Sequence, residues 1–223
     1  PVRTTLETVT HQANADNGRP ETVMLSLLPS LAEHFLTERL APFCRNHPHV
    51  RLVLMADARS VSVPRREADL ALRLARPTGG EAITRKLADI GHVLCGTPDL
   101  VARYHAGEPV PGITFSDDLA ALPEGHWMAE AFGPAITVRS NALGVQLAAA
   151  RASLGLAVLP RTLLPAPGLA EVTPNPCTVI RELWLLVRRD VAHRPAVRTL
   201  MDHLVAVFAA ERDTLCPPTP ASP

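Results

Sequence analysis

Apolar residues along this 223-residue chain recur at two alternating periods, and their order predicts an α/β protein. Residues 22–28 form a short apolar run that reads as a strand. Leu28-Pro29-Ser30 then leads into a helix in which Leu31, Phe35, Leu36, Leu40, Phe43 and Cys44 fall at helical spacing. Asn46-His47-Pro48 stops that helix, because the residue before a proline is biased away from helical geometry. Strands are expected at 50–55 and 69–74, with a turn and a short helix around 61–67 between them. Strand–helix–strand order of this kind builds right-handed βαβ units in a parallel sheet. After a Pro77-Thr78-Gly79-Gly80 loop, 83–87 and 90–96 read as two strands, and Thr97-Pro98 opens a helix with proline at its first position. A second α/β pattern follows: a strand at 135–139, an Ala-rich helix at 140–154 closed by Gly155, and a buried strand at 156–159. Residues 160–178 read as proline-rich turns, 180–187 as a last strand. The closing helix, 195–212, sets Val197, Leu200, Met201, Leu204, Val205 and Phe208 on one face. Residues 1–20 read as the end of a helix and a turn at Asn17-Gly18, and 213–223 as a disordered tail.

Composition narrows the function. Hydrophobic residues make up 47% and aromatic residues only 4%, so the core is mostly Ala, Leu and Val, which suits sheets covered by helices. Lys and Arg number 22 and so do Asp and Glu. A chain that grips DNA unaided carries excess basic charge, so no direct nucleic-acid binding is expected. Cys44, Cys95, Cys177 and Cys216 form no CxxC pair, and free thiols in the cytoplasm are the better expectation. There is no apolar run long enough to span a bilayer and no signal peptide, so no membrane association is expected. The catalytic motifs G-x-S-x-G, G-x-G-x-x-G, Walker A and HExxH are all missing. The chain is therefore expected not to be an enzyme and to carry no metal or cofactor.

Several ordered stretches carry a resemblance. SLAEHFLTERLAPFCRNHPHVRLVL (30–54), READLALRLARP (66–77), TVRSNALGVQLAAARASLGLAVLP (137–160), and ELWLLVRRD (182–190) with RPAVRTLMDHL (194–204) behind it are similar to the sensor domains of LysR-type transcriptional regulators. One departure is visible: Ser153 stands where the family pattern usually has its first glycine, and only Gly155 is kept. The resemblance covers about residues 21–212. It implies a two-lobed fold like the type 2 periplasmic binding proteins, each lobe a mostly parallel sheet flanked by helices, joined by two crossover strands. Lobe I would comprise 21–95 plus 187–212 and lobe II 96–186, with crossings near 93–96 and 186–187. The implied function is sensing a small effector between the lobes. A separate N-terminal winged helix-turn-helix, not within these residues, would meet promoter DNA. A homodimer is implied, and a tetramer for the full regulator. The alternative is a free-standing periplasmic solute-binding protein of the same fold.

Nine residues are candidates for effector contact. Ser30-Leu31-Ala32-Glu33 has the S-x-x-E pattern of a capping box, so Ser30 reads first as a helix cap. The same helix start offers free N–H groups and partial positive charge to an anion, which is where the family places effector contacts. Ser140 and Asn141 read in the same two ways at the start of the second lobe's helix. Arg73 lies in the apolar strand LALRL, either as half of an internal ion pair with Asp69 or Glu67 or as a cation facing the cleft. Arg59 and Ser60 follow a strand end, where open α/β sheets bind ligands, but could be plain loop residues. Leu28, Leu74 and Leu143 would cover an apolar body. Together these residues suggest a small organic anion as the effector.

Overall fold

The computed structural model describes residues 20–57, 68–76 and 82–217. In the first lobe, β1 (Glu21–Leu27) lies between β2 (Val50–Ala56) and β3 (Leu70–Arg73), parallel to both. A strand with parallel neighbours on each side is covered on both faces, and Val23, Leu25 and Leu27 are fully buried. A helix over residues 29–46, α1, follows β1 directly. It contains a π-turn at Ala32–Leu36, where Thr37 donates its hydroxyl to the Ala32 carbonyl at 2.7 Å. Leu31, Phe35, Leu36, Leu40 and Phe43 are buried along it, as the spacing predicts. Cys44 is exposed instead.

β4 (Ala82–Gly96) is one strand of 15 residues, not two. A register shift between Lys86 and Ala88 absorbs the irregularity that reads as a break in the sequence. Its first part pairs antiparallel with β9 (Ile180–Arg188) as far as Gly91. From His92 it pairs with β7 (Leu156–Pro160) in the second lobe. Asn175 fills the edge that β9 leaves: its amide donates to the His92 carbonyl at 2.9 Å and its oxygen accepts from Leu94 N at 3.1 Å. The hand-over thus lies at residues 91 and 92 on the outgoing strand and just before Ile180 on the return.

The second lobe adds α2 (Pro98–His105), β5 (Gly112–Thr114), α3 (Pro123–Phe132), β6 (Ile136–Arg139), α4 (Leu143–Arg151) and β8 (Ala170–Glu171). The strand order through both lobes is β2-β1-β3-β9-β4-β7-β5-β6, with β8 on β4. β7 is buried throughout, and its side chains alternate between two cores. Leu156 and Val158 meet Met128 and Phe132, while Ala157 and Leu159 meet Leu147 and Ala150. β5 and α3 have no counterpart in the sequence reading.

α5 (Pro195–Ala210) returns to the first lobe, where Phe208 stacks on Phe35 at 5.4 Å. Arg194 ties this helix to the sheet, bonding Glu21 at 2.8 Å, Asp69 at 3.3 Å and the Thr22 carbonyl at 2.7 Å. The expected disordered tail starts too early at 213: Arg212–Leu215 form a short helix, α6, and Leu215 is fully buried. All four cysteines are free, and burial pushes the Cys95 thiol up to about 12, which keeps it protonated and inert.

Candidate functional site: a cavity between the lobes

The strand hand-over leaves a cavity between the lobes. The first lobe contributes Leu28 before α1, Ser30 and Leu31 in its first turn, and Leu74 after β3. β4 contributes Ile90 and His92, and the second lobe Glu124, Leu143, Pro160 and Thr162. The cavity volume is about 20 Å³, space for about one water molecule. The first turns of α1 pack on the Arg161–Leu163 turn, so the lobes are held close together.

Three polar side chains meet at this boundary. Glu124, the second residue of α3, is buried, and both its oxygens accept from Arg181 Nη1 at 2.9 and 3.0 Å. Nη2 of Arg181 donates to the Leu74 carbonyl at 2.9 Å. One guanidinium on the return strand therefore holds a helix of lobe II and the end of β3 in lobe I. Charged groups buried this deeply are costly unless paired, and removing either partner strands the other. His92, the first residue of β4 on the lobe II side, is buried, and its Nδ1 has no hydrogen-bond partner among the described residues. Burial pushes its pKa below the ordinary value; Glu124 opposes the shift and Arg181 adds to it. His92 is therefore a neutral imidazole at pH 7.

The sequence-predicted site residues divide. Leu28, Ser30 and Leu74 line the cavity, as does Leu143. Ser30 does not cap its helix: Leu28 is the N-cap, without a side-chain bond, and Pro29 takes the first helical position. The pattern S-x-x-E is two residues too late, and Glu33 lies beside His34 instead. Ser140 and Asn141 precede α4 rather than opening it, since Ala142 is the N-cap. The Ser140 hydroxyl accepts from Ala142 N at 3.1 Å in a local turn, and neither residue is among those lining the cavity. Gly155 is not a helix cap either. A Cβ there would meet the Pro111 carbonyl at 2.7 Å, so its absent side chain lets β7 approach the segment before β5.

Arg73 ends β3, and its guanidinium bonds Ser26 Oγ at 2.8 Å and the Leu72 carbonyl at 2.8 Å. The carboxylate expected for it, Asp69, pairs with Arg194 instead. Arg59, Ser60 and Glu67 lie outside the described residues.

Glu124, Arg181 and His92 were not picked out by the sequence reading, yet two of them left a signal. In β9, Arg181 shares the parity of Leu183, Leu185 and Val187, all buried. In β4, His92 shares the parity of Ile90 and Leu94, also buried. A polar residue at a core position in an alternating strand calls for a partner. Among the described residues no three His, Cys, Asp or Glu side chains are grouped to hold a metal, and no helix is long and apolar enough to cross a membrane.

Two α/β lobes threaded by a shared strand, with a cavity at the junction, define a binding domain of the type 2 periplasmic-binding-protein class. The family model described as "LysR substrate binding domain" matches residues 16–209, and the chain belongs to that family. In sequence it is similar to the Mau operon transcriptional activator of Paracoccus denitrificans, 25% identical over 205 residues, covering 91% of this chain and 71% of that protein. In fold it is similar to CrgA, a LysR-type transcriptional regulator from Neisseria meningitidis (TM-score 0.71, 15% identity, 91% of this chain and 76% of that one). It is similar also to the effector domain of the transcriptional regulator AmpR of Pseudomonas aeruginosa (TM-score 0.69, 17% identity, 86% and 96%). The family is one of transcriptional regulators, and the chain corresponds to their effector-binding part.

Proposed function

We propose that this chain senses a small molecule held in the interlobe cavity and passes the resulting lobe movement to a separate N-terminal DNA-binding domain. One observation carries the reading. The cavity sits where β4 passes from one sheet to the other, so anything entering it touches both lobes and the strand that joins them. The present volume is too small for a metabolite, so binding requires the lobes to part, and the difference between the two arrangements is what a ligand would select. A homodimer, working in the cytoplasm, is part of the same reading and rests on family resemblance. The alternative of a free-standing solute-binding protein shares the fold, but the matching family and the relative found by sequence are regulators.

The expectation of an anionic effector has less support. Of its described residues only Ser30 lines the cavity as a polar group; Arg73 and Ser140 are engaged elsewhere, and a carboxylate, Glu124, lines it too. The site itself is tested by screening metabolites for a rise in melting temperature, which follows from binding to the native state alone. Leu143→Trp should fill the cavity and abolish binding of any hit by calorimetry. An unchanged affinity in the folded variant removes the cavity as the site.

A further inference from the structure

The polar groups that the cavity offers are unevenly matched. Its one charged lining residue among those described is Glu124. A carboxylate has about four acceptor sites, and Arg181 Nη1 occupies one on each oxygen. Half of that capacity is open. His92 lines the same cavity, is 3% exposed, and has no partner at Nδ1 among the described residues. As a neutral ring, His92 presents Nδ1 as a lone pair in one tautomer and as an N–H in the other. Ser30 and Thr162 add hydroxyls that serve either way.

Among the described residues, donors are in shorter supply. Arg181 is not among the lining residues, and its terminal nitrogens serve Glu124 and the Leu74 carbonyl. Arg73 bonds Ser26 and the Leu72 carbonyl. Among the described residues, a ligand entering the cavity therefore meets the carboxylate and the imidazole directly, and the nearest guanidinium only through the carboxylate. A ligand carboxylate would find no cation among the described lining residues, since Arg181 is already held by Glu124. The rest of the lining is apolar, including Leu28, Leu74, Ile90 and Leu143.

We propose that the effector is a small amine: a short apolar body with an N–H donor head, bound as the ammonium, directed at Glu124 and His92. The proposal rests on the reading that the cavity is the effector site. It also gives the binding event an output. Glu124 holds Arg181, and Arg181 holds the end of β3, so a cation sharing Glu124 loosens the contact that ties the lobes together.

The test uses three probes of matched size, butylammonium, 1-butanol and butyrate, titrated into the protein with ¹⁵N-labelled histidine. The readouts are the His92 ring-nitrogen shift and the dissociation constant. Butylammonium should bind most tightly and shift Nδ1 on saturation. Removing a charge-assisted hydrogen bond weakens binding by about tenfold or more, so Glu124→Gln should do this to butylammonium and leave butanol within about twofold. Because Glu124→Gln leaves Arg181 buried without its partner, the double variant Glu124→Gln/Arg181→Met provides the second measurement and should show the same selective loss. Butyrate binding at His92 as tightly as butylammonium would overturn the amine assignment and leave the cavity as the site. If none of the three probes moves the His92 resonances, the cavity is not the site, and both readings fall.

Discussion

Ser153 shows how a single residue can carry both a family departure and its physical cost. It follows α4 with φ +59°, the left-handed region, while Ser153 N and Leu154 N bond back to the carbonyls of Ala150 and Ala149 at 3.1 and 3.0 Å. This is the helix-ending geometry in which glycine is usual, because a Cβ is penalised there. The sequence alone showed that a glycine was missing; it could not show that the backbone still takes the glycine's conformation. The Ser153 hydroxyl lies 2.7 Å from that of Thr97, a contact glycine would lose. Relief of about 1 kcal/mol of strain outweighs that exposed contact and glycine's extra unfolded-state entropy, so Ser153→Gly should stabilise by about 0.5 kcal/mol. Calorimetry should show a rise of about 1–2 °C in melting temperature. A fall would mean that the hydroxyl pair matters more than the backbone. The same distinction explains Glu124: its residue type is plain in the sequence, but its burial depends on α3, an element the hydrophobic pattern did not mark.

Elements with strong periodicity were legible, and those that depend on partners were not. β1, β7, β9 and α5 follow from runs of apolar residues at period two or at helical spacing. α3 is weaker: PEGHWMAEAF buries Glu124, Gly125, Met128 and Phe132, a set with no clean apolar stripe. The overlooked cue was Pro123 at the first helical position with an acidic residue after it. α6 was hidden for the opposite reason, since RDTL is polar apart from one leucine. That leucine packs against β4, where a Cβ on Gly91 would meet the Leu215 carbonyl at 3.3 Å, and α6 also touches the Arg161–Leu163 turn of the other lobe. Leu215→Ala should therefore cost about 2–4 kcal/mol in urea unfolding, the range for a buried leucine. A disordered tail would give a change within about 0.5 kcal/mol, as for a surface position.

On the scale of the whole molecule, the two-lobed architecture was legible because ordered motifs from both lobes resemble one family. The cavity lining was legible where those motifs supply it, at Leu28, Ser30 and Leu74 in lobe I and Leu143 in lobe II, while His92 and Glu124 depend on longer-range packing. Assembly belongs to this scale too. Val145 on α4 and Leu154 just beyond it are 52% and 49% exposed, apolar surface available to the proposed homodimer. Sedimentation should show a dimer that Val145→Asp converts to monomer with the fold unchanged by circular dichroism; a wild-type monomer at high concentration would remove the proposal. The continuous β4 has a further mechanical meaning. Fifteen residues of strand span about 50 Å, and the sheet changes hands at His92, five residues from the end. β4 is thus a lever with a short arm in one lobe and a long arm in the other, its fulcrum at the cavity wall. On the proposed reading, a displacement of an ångström beside the fulcrum would be delivered, magnified, at the far end of the longer arm, and a ligand the size of a few atoms would reposition a whole lobe.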